Sequence, residues 1–257
     1  MKPNKTSKLL KYITLGAAAA GCALRFAHYA LGTDGRGLLV RNHWTVYGLW
    51  VLCLGFCAAL LILSGSITGS RRFDHARFTP IPAAAGSLAL GAALLITAFR
   101  IFGGFLLTAD FLIWALGPCA GLGLIAAGIC RLSGKKPYFL MHALLCLYMA
   151  LRMVSMYRQW SADPQLQDYG FYITAHAAVM LTAYQHAAFD AAMGSHRSLW
   201  VCSLASVFLS CTALPHCEEW LLMAACALWA FCNLTVLPVR GRRVRGVPQQ
   251  EAESAEG

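Results

Sequence analysis

Residues 15–25 read Leu15-Gly-Ala-Ala-Ala-Ala-Gly-Cys-Ala-Leu-Arg25, and residues 90–100 read Leu90-Gly-Ala-Ala-Leu-Leu-Ile-Thr-Ala-Phe-Arg100. Six of the eleven aligned positions are identical. Ala, Leu and Gly match easily in a chain so rich in them, but an arginine set deep in an apolar run does not. Ala150-Leu-Arg152 repeats the ending, and Ala213-Leu-Pro215 repeats it with proline in place of arginine. Each copy is followed by an acid: Asp34, Asp110, Asp163 and Glu218. The pattern reads as one two-helix unit used four times. The spacing between copies is too irregular for a solenoid and fits a divergent duplication of helical hairpins.

The composition says what surrounds such a unit. Of 257 residues, 58% are hydrophobic and 12% charged, with a mean hydropathy of +0.58. A soluble domain carries about 25% charged residues, so a single water-facing globule is excluded. Apolar runs of about 20 residues recur along the chain, each long enough to cross a hydrocarbon layer of about 30 Å. Repeated crossings require helices, because each backbone polar group needs a partner within its own segment. The fold class is therefore all-α, a polytopic membrane protein of eight helices in four hairpin pseudo-repeats. The expected spans are 9–31, 44–68, 81–104, 109–131, 138–158, 169–192, 198–216 and 218–237. A tail at 238–257, basic and then polar, follows this transmembrane domain at 1–237, and its composition is that of a disordered segment.

Loop charge sets the orientation. With the N-terminus in the cytoplasm, the inner face holds the four lysines between Lys2 and Lys11, then Arg71, Arg72, Arg77, Arg131, Lys135, Lys136, Arg197 and the four arginines between Arg240 and Arg245. Only Arg36, Arg41 and Arg158 fall outside. The positive-inside rule thus expects both termini in the cytoplasm, with the plasma membrane as the location. The net charge of +10 is accounted for by this asymmetry and calls for no nucleic-acid partner. A competing reading of the N-terminus is a signal peptide with lipoprotein cleavage at Cys22. The apolar stretch continues past that point to Leu31, which favours a retained span. Ten of the eleven cysteines lie in apolar runs, where they pack as small hydrophobes.

At about 1.5 Å per residue, Arg25, Arg100 and Arg152 each lie some 20 Å from the cytoplasmic boundary. His176 in the sixth span falls at the same level, as do Pro118 and Pro215, while His28 sits one turn above Arg25. Intramembrane charge coinciding with irregular helix is the pattern of a cavity. Guanidinium groups fork to oxyanions, so the expected ligand is an anionic solute or lipid headgroup, in transport or binding. Arg25, Arg100, Arg152, His176 and His28 are the candidate ligand-binding residues. The alternative is structural: each arginine snorkels or pairs with an acid of a neighbouring unit, among Asp34, Asp110, Asp163, Asp168, Glu218 and Glu219, in a non-catalytic subunit or sensor.

Two further clusters are weaker. His186 and Asp190 share a face of the sixth span, with His142 the candidate third group, and read as an interfacial hydrogen bond more readily than a metal site. Pro215-His-Cys-Glu-Glu219 reads as a tight turn, or as part of a lipid-modifying enzyme. No Walker loop, Gly-x-Ser-x-Gly elbow or His-Glu-x-x-His motif occurs, so no catalytic residue, metal or cofactor is assigned. Ser87-Leu-Ala-Leu-Gly91 and Gly117-Pro-Cys-Ala-Gly121 are small-xxx-small patterns that predict close helix packing.

Overall fold

The computed structural model describes residues 5–32, 43–65, 81–101, 108–160, 166–191, 193–215 and 217–236. They form eight helices: α1 (Lys5–Leu31), α2 (Trp44–Ser64), α3 (Ile81–Ile101), α4 (Thr108–Leu132), α5 (Phe139–Trp160), α6 (Leu166–Asp190), α7 (His196–Ala213) and α8 (Trp220–Val236). Each lies within one of the eight expected apolar stretches, give or take a few residues. The tail at 238–257 and the loop basic residues Arg71, Arg72 and Arg77 lie outside the described residues.

Local chemistry sets several helix ends. Pro82 stands in the first turn of α3, where a missing N–H leaves no bond unmade. α4 ends in a Schellman turn. Gly134 takes a φ of 68°, the Lys135 N–H donates to the Cys130 carbonyl at 2.8 Å, and the Gly134 N–H donates to the Arg131 carbonyl at 3.2 Å. Pro118 lies inside α4, as expected. Pro215 does not kink the seventh span: α7 has already stopped at Ala213, and the proline belongs to the turn leading to α8.

α3 through α8 form a closed ring in which each helix packs on the next and α8 returns to α3. α1 packs on the outside of the ring against α7, and α2 covers α1 while touching α7 at its edge. Trp229, Tyr148, Leu145 and Met149 are fully buried, as is Trp200, whose ring meets Lys11 of α1 at 5.3 Å. Backbones come close where the small-residue patterns lie. A Cβ added at Gly91 on α3 would stand 2.7 Å from the Gly121 carbonyl oxygen on α4, and one at Gly121 would stand 2.9 Å from the Gly91 carbonyl.

Five helices, α1 to α5, are long and apolar enough to cross a membrane. α6 and α7 are too polar by the same measure and α8 is too short, although Trp220–Leu234 is apolar. The reason is visible in the packing. The polar groups of α6 and α7, among them His176, Thr182, His186, Asp190, Ser203 and Ser210, are buried inside the ring. By contrast, α2 turns Trp50, Val51, Leu54, Leu61 and Ile62 outward, a face suited to hydrocarbon. Four buried hydroxyls are met within their own helices: Ser87, Thr97, Thr182 and Thr212 each donate to the carbonyl four residues back at 2.9 Å.

Candidate functional site

One end of the bundle gathers the close of α1, α5 and α7 with the start of α6 and α8. The inward face of α1 carries Leu10, Thr14, Ala18, Arg25 and His28, spaced at three, four and seven residues as one helical stripe. Gly21 lets that stripe sit tightly on α7, since a Cβ there would meet Thr212 Oγ1 at 2.5 Å. One turn further on, Arg25 is 5% exposed, and its Nη2 donates to the Tyr29 hydroxyl at 3.0 Å. Its guanidinium lies over the rings of Tyr29 and Phe171, with centroid distances of 4.9 and 5.1 Å. The latter contact bridges α1 to α6, so the cation is fixed by stacking as well as by hydrogen bonding.

Arg152 arrives from α5. It forms an ion pair with Glu219, whose second oxygen accepts the Tyr172 hydroxyl at 2.6 Å. This three-residue link joins α5, α6 and the turn before α8. Arg25, Tyr29, Arg152, Tyr172, Glu218 and Glu219 stand around a cavity of about 370 Å³, which Cys217 also lines. That volume is within the usual range for a small-molecule site, about 300–1,000 Å³. Burial pushes the Cys217 thiol up to about 11, with the carboxylates of Glu219 and Glu218 adding to the effect. The thiol therefore stays protonated near neutral pH and does not act as a resting nucleophile.

Of the three arginines expected at one level, Arg25 and Arg152 share this cavity and Arg100 does not. Arg100 is exposed on the last turn of α3, which α8 separates from α7, the helix that α1 packs on. His176 stands behind the wall: its Nδ1 is 2.9 Å from the Tyr172 carbonyl oxygen, and its ring meets Tyr172 edge-on at 4.5 Å. His28 faces α2, with Nδ1 2.8 Å from Thr45 Oγ1. Asp34, Asp163 and His216, and the side chains of Asp110 and Asp168, lie outside what the structure describes.

A second polar centre occupies the other end of the ring. His142 on α5 places Nδ1 2.8 Å from Asp190 Oδ2 on α6. The His142 ring stacks on His186 at 5.3 Å, and Trp229 of α8 lies 5.1 Å from His186. Arg131, from the end of α4, donates to Asn233 Oδ1 at 2.7 Å and brings Nη2 to 3.5 Å from His142 Nε2. All six side chains are buried. The sequence places His142, His186 and Asp190 at one depth; it counts Arg131 among the loop cations and passes over Asn233. A lone amide in the apolar helix α8 was the signal available for the latter. Among the described residues, no group of three His, Cys, Asp or Glu side chains is arranged to hold a metal ion.

Compared with protein-family models, with curated proteins and with solved structures, the chain matches none of them. The class therefore rests on fold and site alone: an all-helical protein with five helices fit to cross a membrane and a charged cavity at one end of its bundle.

Proposed function

We propose that this is a multi-pass membrane protein that binds, and in its working cycle transports, an anionic solute or lipid headgroup in the cavity between Arg25 and Arg152. The single observation that carries this reading is that two arginines far apart in sequence, on helices that do not touch, line one cavity of ligand size. All eight helices cross the membrane in this proposal, with both termini in the cytoplasm of the plasma membrane, so the cavity opens in the outer leaflet. The four hairpin pseudo-repeats are retained as its origin, supported by the packing of α1 on α2, α3 on α4, α5 on α6 and α7 on α8. Arg25 and Arg152 are the ligand-facing groups, His176 and His28 hold the wall from behind, and Arg100 has no part in binding.

The test is a thermal-shift panel of carboxylates, phosphates and anionic lipids on the detergent-purified protein. At least one should stabilise the wild type, and Arg25→Gln should abolish that shift while Arg100→Gln preserves it. A panel with no effect on the wild type rejects the reading.

The Arg152–Glu219 pair favours a second reading, a non-catalytic subunit or sensor in which the arginines lock helices together. Under it, Arg152→Gln lowers the melting temperature and no anion raises it.

A further inference from the structure

Ser87, Thr97, Thr182 and Thr212 bond back to their own helices, but three serines on α7 do not. Ser203, Ser206 and Ser210 are fully buried, and their Oγ atoms meet no hydrogen-bond partner among the described residues. Phe208 packs on Phe56 of α2 and Thr212 lies against Gly21 of α1, which marks the outer side of α7. At about 100° per residue the three serines fall about half a turn away, toward the inside of the ring. Counted from the turn between α6 and α7, Ser210 is level with His176, and Ser206 and Ser203 follow toward His186. His176 Nε2, His186 Nε2 and Trp229 Nε1 are likewise buried without a partner among the described residues. The two histidines share one face of α6, about 15 Å apart. These six atoms run from the cavity wall, where His176 backs Tyr172, to the polar centre at the other end of the ring.

Buried polar atoms in native proteins are paired, and ordered water serves where no protein group is in reach. Small side chains leave room for it here, since α6 carries Val179 and Ala183 between its two histidines. Resting on the reading that these helices cross a membrane, we infer that the ring encloses a file of water molecules conducting protons between the cavity and the His142–Asp190 centre. A serine hydroxyl accepts one hydrogen bond while donating another, and an imidazole takes a proton on one nitrogen as it releases one from the other. A proton entering at one end is matched by one leaving at the other. One charge crosses, each broken O–H or N–H bond is replaced, and the hydrogen bonds then turn back. The file opens at one end behind Tyr172 and Glu219. At the other it reaches Asp190, beside the exposed turn at Ala191 and Met193. Such conduction does not require that the cavity take an anion.

Two measurements on the full chain test this. In the first, hydroxyl radicals made in place by X-ray irradiation label side chains that stand beside internal water. Trp229, although fully buried, should be oxidised well above Phe208, which is buried on the outer side of α7. In the second, the chain is reconstituted in vesicles holding a pH-sensitive dye, and a potassium gradient with valinomycin drives protons inward. The wild type should acidify the lumen faster than protein-free vesicles do. Ser203→Ala combined with Ser210→Ala should slow that flux about tenfold, the factor that one lost hydrogen bond on the path sets. Ser87→Ala, whose hydroxyl is already bonded within α3, should leave it unchanged. Labelling of Trp229 no faster than of Phe208 overturns the inference, because the file is then dry. Labelled Trp229 without flux above protein-free vesicles, or flux unaltered by the double variant, overturns it as well. A chain that alkaline carbonate strips from the vesicles fails the membrane reading instead, and binding in the anion panel is scored separately from both.

Discussion

His142 Nδ1 lies 2.8 Å from Asp190 Oδ2, inside a ring whose other members at that level are Arg131, Asn233, His186 and Trp229. The contact ties α5 to α6, and the Arg131–Asn233 bond ties α4 to α8. Four of the six ring helices are thus joined by polar groups that have no water to fall back on. Removing one member leaves its buried partners without a hydrogen bond, which costs about 1–3 kcal/mol for each group orphaned and more for a charged one. Asp190→Ala should therefore sharply lower the melting temperature and the yield of monodisperse protein in detergent. Arg131→Met combined with Asp190→Leu should recover much of the loss, because the opposed charges disappear together. Melting curves followed by size-exclusion chromatography check both outcomes.

At the other end, Tyr172 donates to a carboxylate that is already paired with Arg152. A hydrogen bond to a charged group is worth about 1.5–3 kcal/mol. Tyr172→Phe should lower stability by an amount in that range and loosen Glu219 without unbalancing the charges. Glu219→Gln should be the more damaging, since it takes the paired carboxylate from the half-buried Arg152. Thermal denaturation of the two variants side by side gives the order, and a Tyr172→Phe protein less stable than Glu219→Gln would contradict it.

Much of this architecture was legible in the chain because a bilayer imposes a coarse rule on sequence. Long apolar runs broken by prolines and charges locate α1 to α5 directly. The start of α3 beside Pro82 and the close approach at Gly91 and Gly121 follow from residue type. What was not legible is rotation about each helix axis. Arg25 and Arg100 end nearly identical motifs, yet Arg25 faces α7 and Phe171 whereas Arg100 is exposed. Their depth is readable by counting residues, but their direction depends on which neighbours each helix acquires. Arg131 shows the converse error. A cation at a span end reads as a loop charge, and only the pairing of α4 with α5, together with α8 within reach, shows it to be buried.

The α3–α4 interface gives a sharper test of packing. A Cβ at Gly91 would stand 2.7 Å from a backbone carbonyl oxygen, which cannot rotate away, and 2.7 Å from Ile125 Cγ1. Gly91→Ala should force the two helices apart and lower the melting temperature, with a cost of about 1–3 kcal/mol typical of overpacking. Gly55→Ala on α2, where an added Cβ meets nothing within 4 Å, should be neutral or slightly stabilising. A Gly91→Ala protein as stable as the wild type would show that the helices are not held at this separation.

Cys217 supplies a pH-dependent readout of the cavity itself. Its thiol is raised from the usual 9 to about 11, chiefly by burial. A raised thiol value means that the folded protein holds the proton more tightly than the unfolded chain does. Its contribution to stability is complete below pH 9 and is lost as the pH rises toward 11. The thiolate is the form that reacts, so alkylation of Cys217 by N-ethylmaleimide should be slow at pH 7 and accelerate about tenfold per pH unit up to that value. Mass spectrometry of the peptide containing Cys217 measures the rate. Because Cys217 lines the same cavity as Arg25, Arg152 and Glu218, a ligand seated there should slow its alkylation at every pH. Arg25→Gln should remove that protection while leaving the pH profile of the unliganded thiol in place. A rate that levels off below pH 9 would show that Cys217 is not shielded by the wall around it.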